Sequence, residues 1–153
     1  VAMAARGYAE HPTPFAKIGV GYNDSPESVA ALALAREVAE PTRASIQVLQ
    51  VVPIASYAYG GAVPLGAFVE EMLQDANKNV SELPDVEGRA VSGLPGEELA
   101  GLGDQVDLLV VGSRGYGPLK RLVLGSTSDF LQRHGRSSLL VLPRVAAGSG
   151  RGE

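Results

Sequence analysis

The sequence predicts an α/β fold, a single doubly wound parallel sheet of five strands with helices on both faces, of the Rossmann-like kind. Short apolar runs alternate with amphipathic segments from Lys17 onwards, as they do where helices connect parallel strands. The runs DLLVVG and SLLVLP are almost continuously apolar, which is typical of strands covered on both faces. A chain of 153 residues with 45% hydrophobic side chains has the size of one domain.

Each predicted strand and helix is indicated by its own stretch of sequence. The predicted strands are KIGVGY, SIQVLQVV, EGRAVS, DLLVVG and SLLVLP. The first helix begins within NDSPES, a turn in which Ser25 is suited to cap the helix and Pro26 to its first position, and it ends before Pro41. The other predicted helices are AFVEEMLQDANKNVSEL, residues 95–103 and residues 126–134. We expect residues 1–15 to be a flexible or tag-derived leader, residues 16–144 the domain, and residues 145–153 a flexible tail.

Composition excludes several classes of function. A net charge of −4 with scattered Lys and Arg provides no basic surface for nucleic acid. The absence of cysteine rules out disulfides and thiolate metal sites. No apolar run approaches the roughly 18 residues of a membrane span, and a reducing, cytoplasmic location is expected.

The most informative segment is GSRGYGPLKRLVLGSTS, which directly follows the strand LLVV. The segment does not match any of three known glycine-containing motifs. Pro118 stands where a Walker P-loop needs Lys, Lys120 stands where a dinucleotide fingerprint needs its third Gly, and no Gly-x-Ser-x-Gly elbow is present. Glycines after a strand and hydroxyl residues before a helix nevertheless suit an anion, because backbone N–H groups converge there. The structural alternative is that the glycines only make turns and the hydroxyls only cap a helix.

The spacing Gly112-x2-Gly115-x9-Gly125-Ser126 resembles the nucleotide-binding motif of the universal stress protein family, G-2x-G-9x-G-(S/T). The likeness extends to KIGVGYNDSPES and GLPGEEL and covers residues 16–144. It implies the strand order 3-2-1-4-5 and an ATP-binding protein, with or without Mg²⁺. The residues implied to form the site are Asn23, Val51, Val111, Gly112, Arg114, Gly115, Gly125, Ser126 and Thr127.

Two positions depart from the family pattern. Asn23 stands where ATP-binding members usually have Asp, so the site loses a charge and gains a donor. Asp24 stands where the family often has Gly, and its carboxylate would either repel phosphate or help to hold a metal ion.

The resemblance implies a stress-response regulatory module in which bound nucleotide sets conformation or partner choice, with no catalytic residue required. One alternative is a slow ATPase or self-phosphorylating enzyme that uses Ser126, Thr127 or Ser128. Another is a structural dimer that binds no nucleotide. In the inferred order the last strand is a sheet edge, and its run Leu139 to Leu142 has no charge or proline, so we expect a homodimer through this strand.

Overall fold

A computed structural model describes residues 1–53, 65–113 and 126–143 of the chain. The strands are β1 (Ala2–Met3), β2 (Lys17–Gly21), β3 (Ser45–Pro53), β4 (Glu87–Gly93), β5 (Leu108–Gly112) and β6 (Ser138–Leu142). The helices are α1 (Pro26–Ala39), α2 (Leu65–Ser81), α3 (Pro95–Gly103) and α4 (Ser126–His134). The α/β prediction is therefore confirmed.

The sheet has six strands in the order β1-β6-β5-β2-β3-β4, so the prediction of a five-stranded sheet is wrong. The additional strand is β1, which comes from the leader and pairs antiparallel with β6. The other neighbouring pairs are all parallel and run β6-β5-β2-β3-β4. The sheet is thus mainly parallel with one antiparallel edge.

Helices cover both faces and enclose two large apolar clusters. On one face α1 packs over Ile18, Val20 and Val110. On the other face α3 and α4 pack over a second cluster that includes Leu109 and Leu131. The central strands are buried from both sides, which explains why their sequences are apolar throughout.

The β6 edge is covered by the leader. The Val141 N–H donates to the Val1 carbonyl over 2.7 Å, and the Val1 nitrogen donates to the Val141 carbonyl over 2.9 Å. The Ala5 N–H donates to the Ser138 hydroxyl over 3.0 Å. The prediction of an open edge at the last strand is therefore wrong where β1 lies, because β1 already pairs with β6 there.

The opposite edge of the sheet, β4, is covered by α2. The Asn77 side-chain oxygen accepts the Ala90 N–H over 2.7 Å, so this N–H is bound by a side chain rather than a strand. A Cβ placed on Gly88 would lie 2.2 Å from the Val80 carbonyl oxygen, which shows how closely the end of α2 approaches β4.

Candidate functional site

The candidate site lies at the adjacent carboxyl ends of β2 and β5. These strands are parallel neighbours, with Ile18 beside Leu108 and Val20 beside Val110. After β2 the chain enters α1 on one face, and α4, the next described helix after β5, packs on the other. The direction of winding reverses between β2 and β5, and such a reversal opens a crevice that binds ligands in doubly wound folds.

Gly112, the last residue of β5, contacts the start of α1. A Cβ on Gly112 would lie 2.6 Å from the Glu27 Cβ and 2.9 Å from its carbonyl carbon. Only a residue without a side chain fits at this distance. Gly112 therefore has a packing role: it brings the end of β5 against the first turn of α1.

The turn between β2 and α1 is held by a compact set of hydrogen bonds. The Asn23 side-chain oxygen accepts both the Ser25 N–H (3.2 Å) and the Ser25 hydroxyl (2.5 Å). Ser25 caps α1 by accepting the Ser28 N–H over 3.2 Å. The Ser28 hydroxyl, which is buried, accepts the Asn23 N–H over 3.2 Å. Both acceptor positions of the Asn23 oxygen are occupied, so its NH₂ group is the part left to meet a ligand.

Tyr22 and Asp24 flank Asn23 and are joined to each other. The Tyr22 hydroxyl donates to an Asp24 carboxylate oxygen over 3.1 Å. Asp24 has φ of 62°, a left-handed conformation in which Gly has no Cβ penalty. Burial of Tyr22, its hydrogen bond to Asp24 and the charge of that carboxylate, in this order, raise its pKa.

Val51 and Val111 lie near the ends of β3 and β5, the two strands that flank β2, but their side chains are buried in the α3 and α4 face of the core. Only their backbone groups are suited to meet a ligand. The Tyr22 N–H donates to the Leu49 carbonyl over 3.0 Å. Val51 lies two residues further along β3, so its backbone groups point to the same side as those of Leu49. They lie beyond the last residue of β2.

The predicted hydroxyl residues begin α4. Ser126 is its first residue, Thr127 is half-buried, and Ser128 is only 2% exposed. Because the Ser128 side chain is buried, its hydroxyl is a poor acceptor for a transferred phosphoryl group. The predicted residues Arg114, Gly115 and Gly125 lie outside the described residues.

The structure adds residues that the sequence analysis did not place in the site. Tyr22, Ser25 and Ser28 organise the β2–α1 turn, and the Ser-x-x-Ser spacing is the signal that would have identified the last two. Gln50, one residue before Val51, has a buried side-chain oxygen without a partner among the described residues. No sequence pattern identifies it, because β3 carries a second glutamine, Gln47, and the sequence does not distinguish the two.

The described residues contain no group of three or more His, Cys, Asp or Glu side chains placed to hold a metal ion. Within the same part of the chain, no helix is long and apolar enough to span a membrane.

The sequence model of the universal stress protein family matches residues 14–143. The chain belongs to this family. No curated protein matches this universal stress protein by sequence.

Solved structures with the same fold include other universal stress proteins. UspA from Lactobacillus plantarum is 20% identical with a TM-score of 0.63, and the match covers 85% of this chain and 99% of that one. The hypothetical protein MJ0577 is 20% identical with a TM-score of 0.69, over 88% of this chain and 100% of that one. A universal stress protein in complex with cAMP is 24% identical with a TM-score of 0.56, over 85% and 98%. At these identities the likeness shows the fold.

Proposed function

We propose that this universal stress protein binds an adenine nucleotide, ATP in the first instance, in the crevice beyond β2 and β5. The observation that carries the proposal is the position of the motif's two ends. Gly112 is the last residue of β5 and Ser126 is the first residue of α4, so the motif connects the strand end at the crevice to a helix N-terminus. Backbone N–H groups at a helix N-terminus favour phosphate.

The turn after β2 supports the nucleoside part of the proposal. Its described side chains offer the Asn23 NH₂ group as a donor, and the end of β3 adds backbone groups of Val51. A structural relative is named as a complex with cAMP, which makes adenine a reasonable base for this fold. In this function bound nucleotide sets the conformation or the partner of a regulatory module.

Thermal unfolding and titration calorimetry with ATP, cAMP and adenosine test the proposal. ATP should raise the melting temperature, because a ligand that binds only the folded state stabilises it. Gly115→Val should abolish this shift, since a branched side chain at this position of the motif would fill the space proposed for phosphate. Gly101→Val is the matched control, because a Cβ at Gly101 meets nothing within 4 Å. An unchanged ATP shift in folded Gly115→Val would reject this site.

A separate experiment tests the alternative that the protein is an enzyme. Denaturing the purified protein and identifying the released nucleotide distinguishes a stable binder, which releases ATP, from an ATPase, which releases ADP. Mass spectrometry after incubation with ATP would reveal phosphorylation in the Ser126 to Ser128 segment. We rank this alternative second because Ser128 is 2% exposed.

A further inference from the structure

A second cleft lies between the leader and the last turn of α4, at the opposite end of that helix from Ser126 and the nucleotide crevice. The Ala5 N–H donates to the Ser138 hydroxyl over 3.0 Å and holds the leader beside β6 at this place. We call it the leader cleft. It is lined by residues 3–6 of the leader and by residues 131, 132, 135, 137 and 139.

Gln132 brings a buried amide group to the leader cleft. Its side-chain nitrogen is shielded from solvent and has no hydrogen-bond partner within the described part of the chain. A buried donor without an acceptor costs stability, and an acceptor on a ligand would recover that cost. The unpaired Gln132 nitrogen therefore points to a ligand in the leader cleft.

The charged and polar side chains that line the leader cleft favour an anion. Arg6 adds a guanidinium group, which only donates hydrogen bonds, and Ser137 adds a hydroxyl. Among the described residues, no Asp or Glu lines the cleft. A chain with a net charge of −4 thus has one cleft in which donors and a positive charge face each other without a carboxylate.

The size and walls of the leader cleft narrow the class of anion. Its volume is about 40 Å³. One water molecule needs about 10–15 Å³, so a ligand of a few heavy atoms fits and a nucleotide does not. Leu131 and Leu139 are buried and form an apolar wall. The carboxyl end of α4 carries partial negative charge, which opposes a dianion such as phosphate more than a monoanion.

We propose that the leader cleft binds a small aliphatic monocarboxylate, of the size of acetate or propionate, through Arg6 and Gln132. The carboxylate accepts hydrogen bonds from both side chains, and the aliphatic part lies against Leu131 and Leu139. Because Arg6 belongs to the leader and Gln132 to α4, the ligand fastens the leader to the domain. This site is separate from the proposed nucleotide crevice.

Titration with sodium propionate, followed by NMR of the backbone amides at constant ionic strength, tests the proposal. Amide signals of Arg6, Gln132 and Ser137 should shift and saturate. Propionamide has the same shape without the charge, and phosphate is a dianion, so each should bind at least about tenfold more weakly. Shifts that do not saturate, or equal affinities for propionate and either of the other two, would overturn the proposal.

Gln132→Met tests the amide, because it keeps the length of the side chain and removes the donor. The affinity for propionate should fall about tenfold or more, while the ligand-free protein should be at least as stable as the parent, since an unpaired buried group is lost. Gln105→Met changes an exposed glutamine and is the matched control, with unaltered affinity.

Arg6→Gln tests the guanidinium group from the other wall and should also lower the affinity for propionate about tenfold or more. Its control is Arg133→Gln, which removes an exposed arginine that pairs with Asp129 over 3.2 Å. The melting-temperature shift caused by ATP should be the same in all these variants, so this test and that of the nucleotide site fail independently. If Gln132→Met and Arg6→Gln bind propionate as the parent does, the leader cleft is not its site.

Discussion

Gly112 and Glu27 contact each other so closely that a single added methyl group on Gly112 would overlap the Glu27 Cβ at 2.6 Å. The glycine that opens the nucleotide motif is therefore required for packing before any ligand is considered. Its position against the first turn of α1 is what brings the two sides of the crevice together.

Gly112→Ala should destabilise the ligand-free protein by about 1–3 kcal/mol, because the new methyl group forces backbone to move. Gly101→Ala is the control, and we expect it to stabilise the protein by about 0.5–1 kcal/mol, since Gly101 lies inside a helix with open space beside it. Urea unfolding without nucleotide measures both. A Gly112→Ala protein as stable as the parent would show that this packing is not required.

Asn23→Asp should change the free energy of unfolding by less than about 0.5 kcal/mol, because a carboxylate oxygen accepts the same two bonds from Ser25. We expect a larger effect on the binding of both ATP and adenosine, since the NH₂ group proposed to meet the ligand is replaced by a second carboxylate oxygen, which accepts hydrogen bonds and cannot donate them. Titration calorimetry with each ligand provides the measurement. Ser25→Ala serves as the control and should cost about 1 kcal/mol of stability by removing the α1 cap. Identical affinities in the parent and Asn23→Asp would remove Asn23 from the site.

Asp24→Asn should tighten ATP binding several-fold without Mg²⁺ and leave adenosine binding unchanged, because it removes a negative charge near the proposed phosphates. Asn retains an oxygen for the Tyr22 hydroxyl and tolerates the left-handed φ of 62°. If Asp24 instead holds a metal ion, the variant will lose affinity for ATP in the presence of Mg²⁺. Calorimetry with and without Mg²⁺ distinguishes these results.

Tyr22→Phe should alter the dependence of stability on pH in the alkaline range. The folded state raises the pKa of Tyr22, so its neutral form contributes stability that is complete below its unfolded pKa of about 10. This contribution is lost as pH rises through the folded pKa. Unfolding measured from pH 8 to 11 should therefore show a smaller alkaline loss for Tyr22→Phe than for the parent. If the stability of Tyr22→Phe and of the parent fell equally with rising pH, the raised pKa of Tyr22 would be contradicted.

The sequence predicted the central strands and the helices well, because these elements have strong local signals. Residues such as Val20 and Val110 belong to apolar runs, and Ser25 and Pro26 mark the start of α1. The start of α2 at Leu65 precedes the predicted Ala67, since a helix end without a capping signal is set by tertiary contacts.

The sequence did not predict β1, because two residues, Ala2 and Met3, have no periodicity and gain their structure only from the edge of β6. The candidate site was predicted in outline from its glycines and hydroxyls. The bond between Tyr22 and Asp24 was not predicted, because it depends on the left-handed turn at Asp24. The close contact between Gly112 and Glu27 likewise joins residues that are distant in sequence.

The Ala90 N–H donates a hydrogen bond to the Asn77 side chain, and this bond makes the two edges of the sheet unequal. At β4 the closely packed end of α2 and this amide leave little room for an incoming strand, whereas β6 pairs with β1, whose residues are exposed. A protein that recruits strands at both edges polymerises without limit, while one that recruits at a single edge stops at two copies. The asymmetry of the sheet therefore opposes the unlimited addition of strands that fibre formation requires.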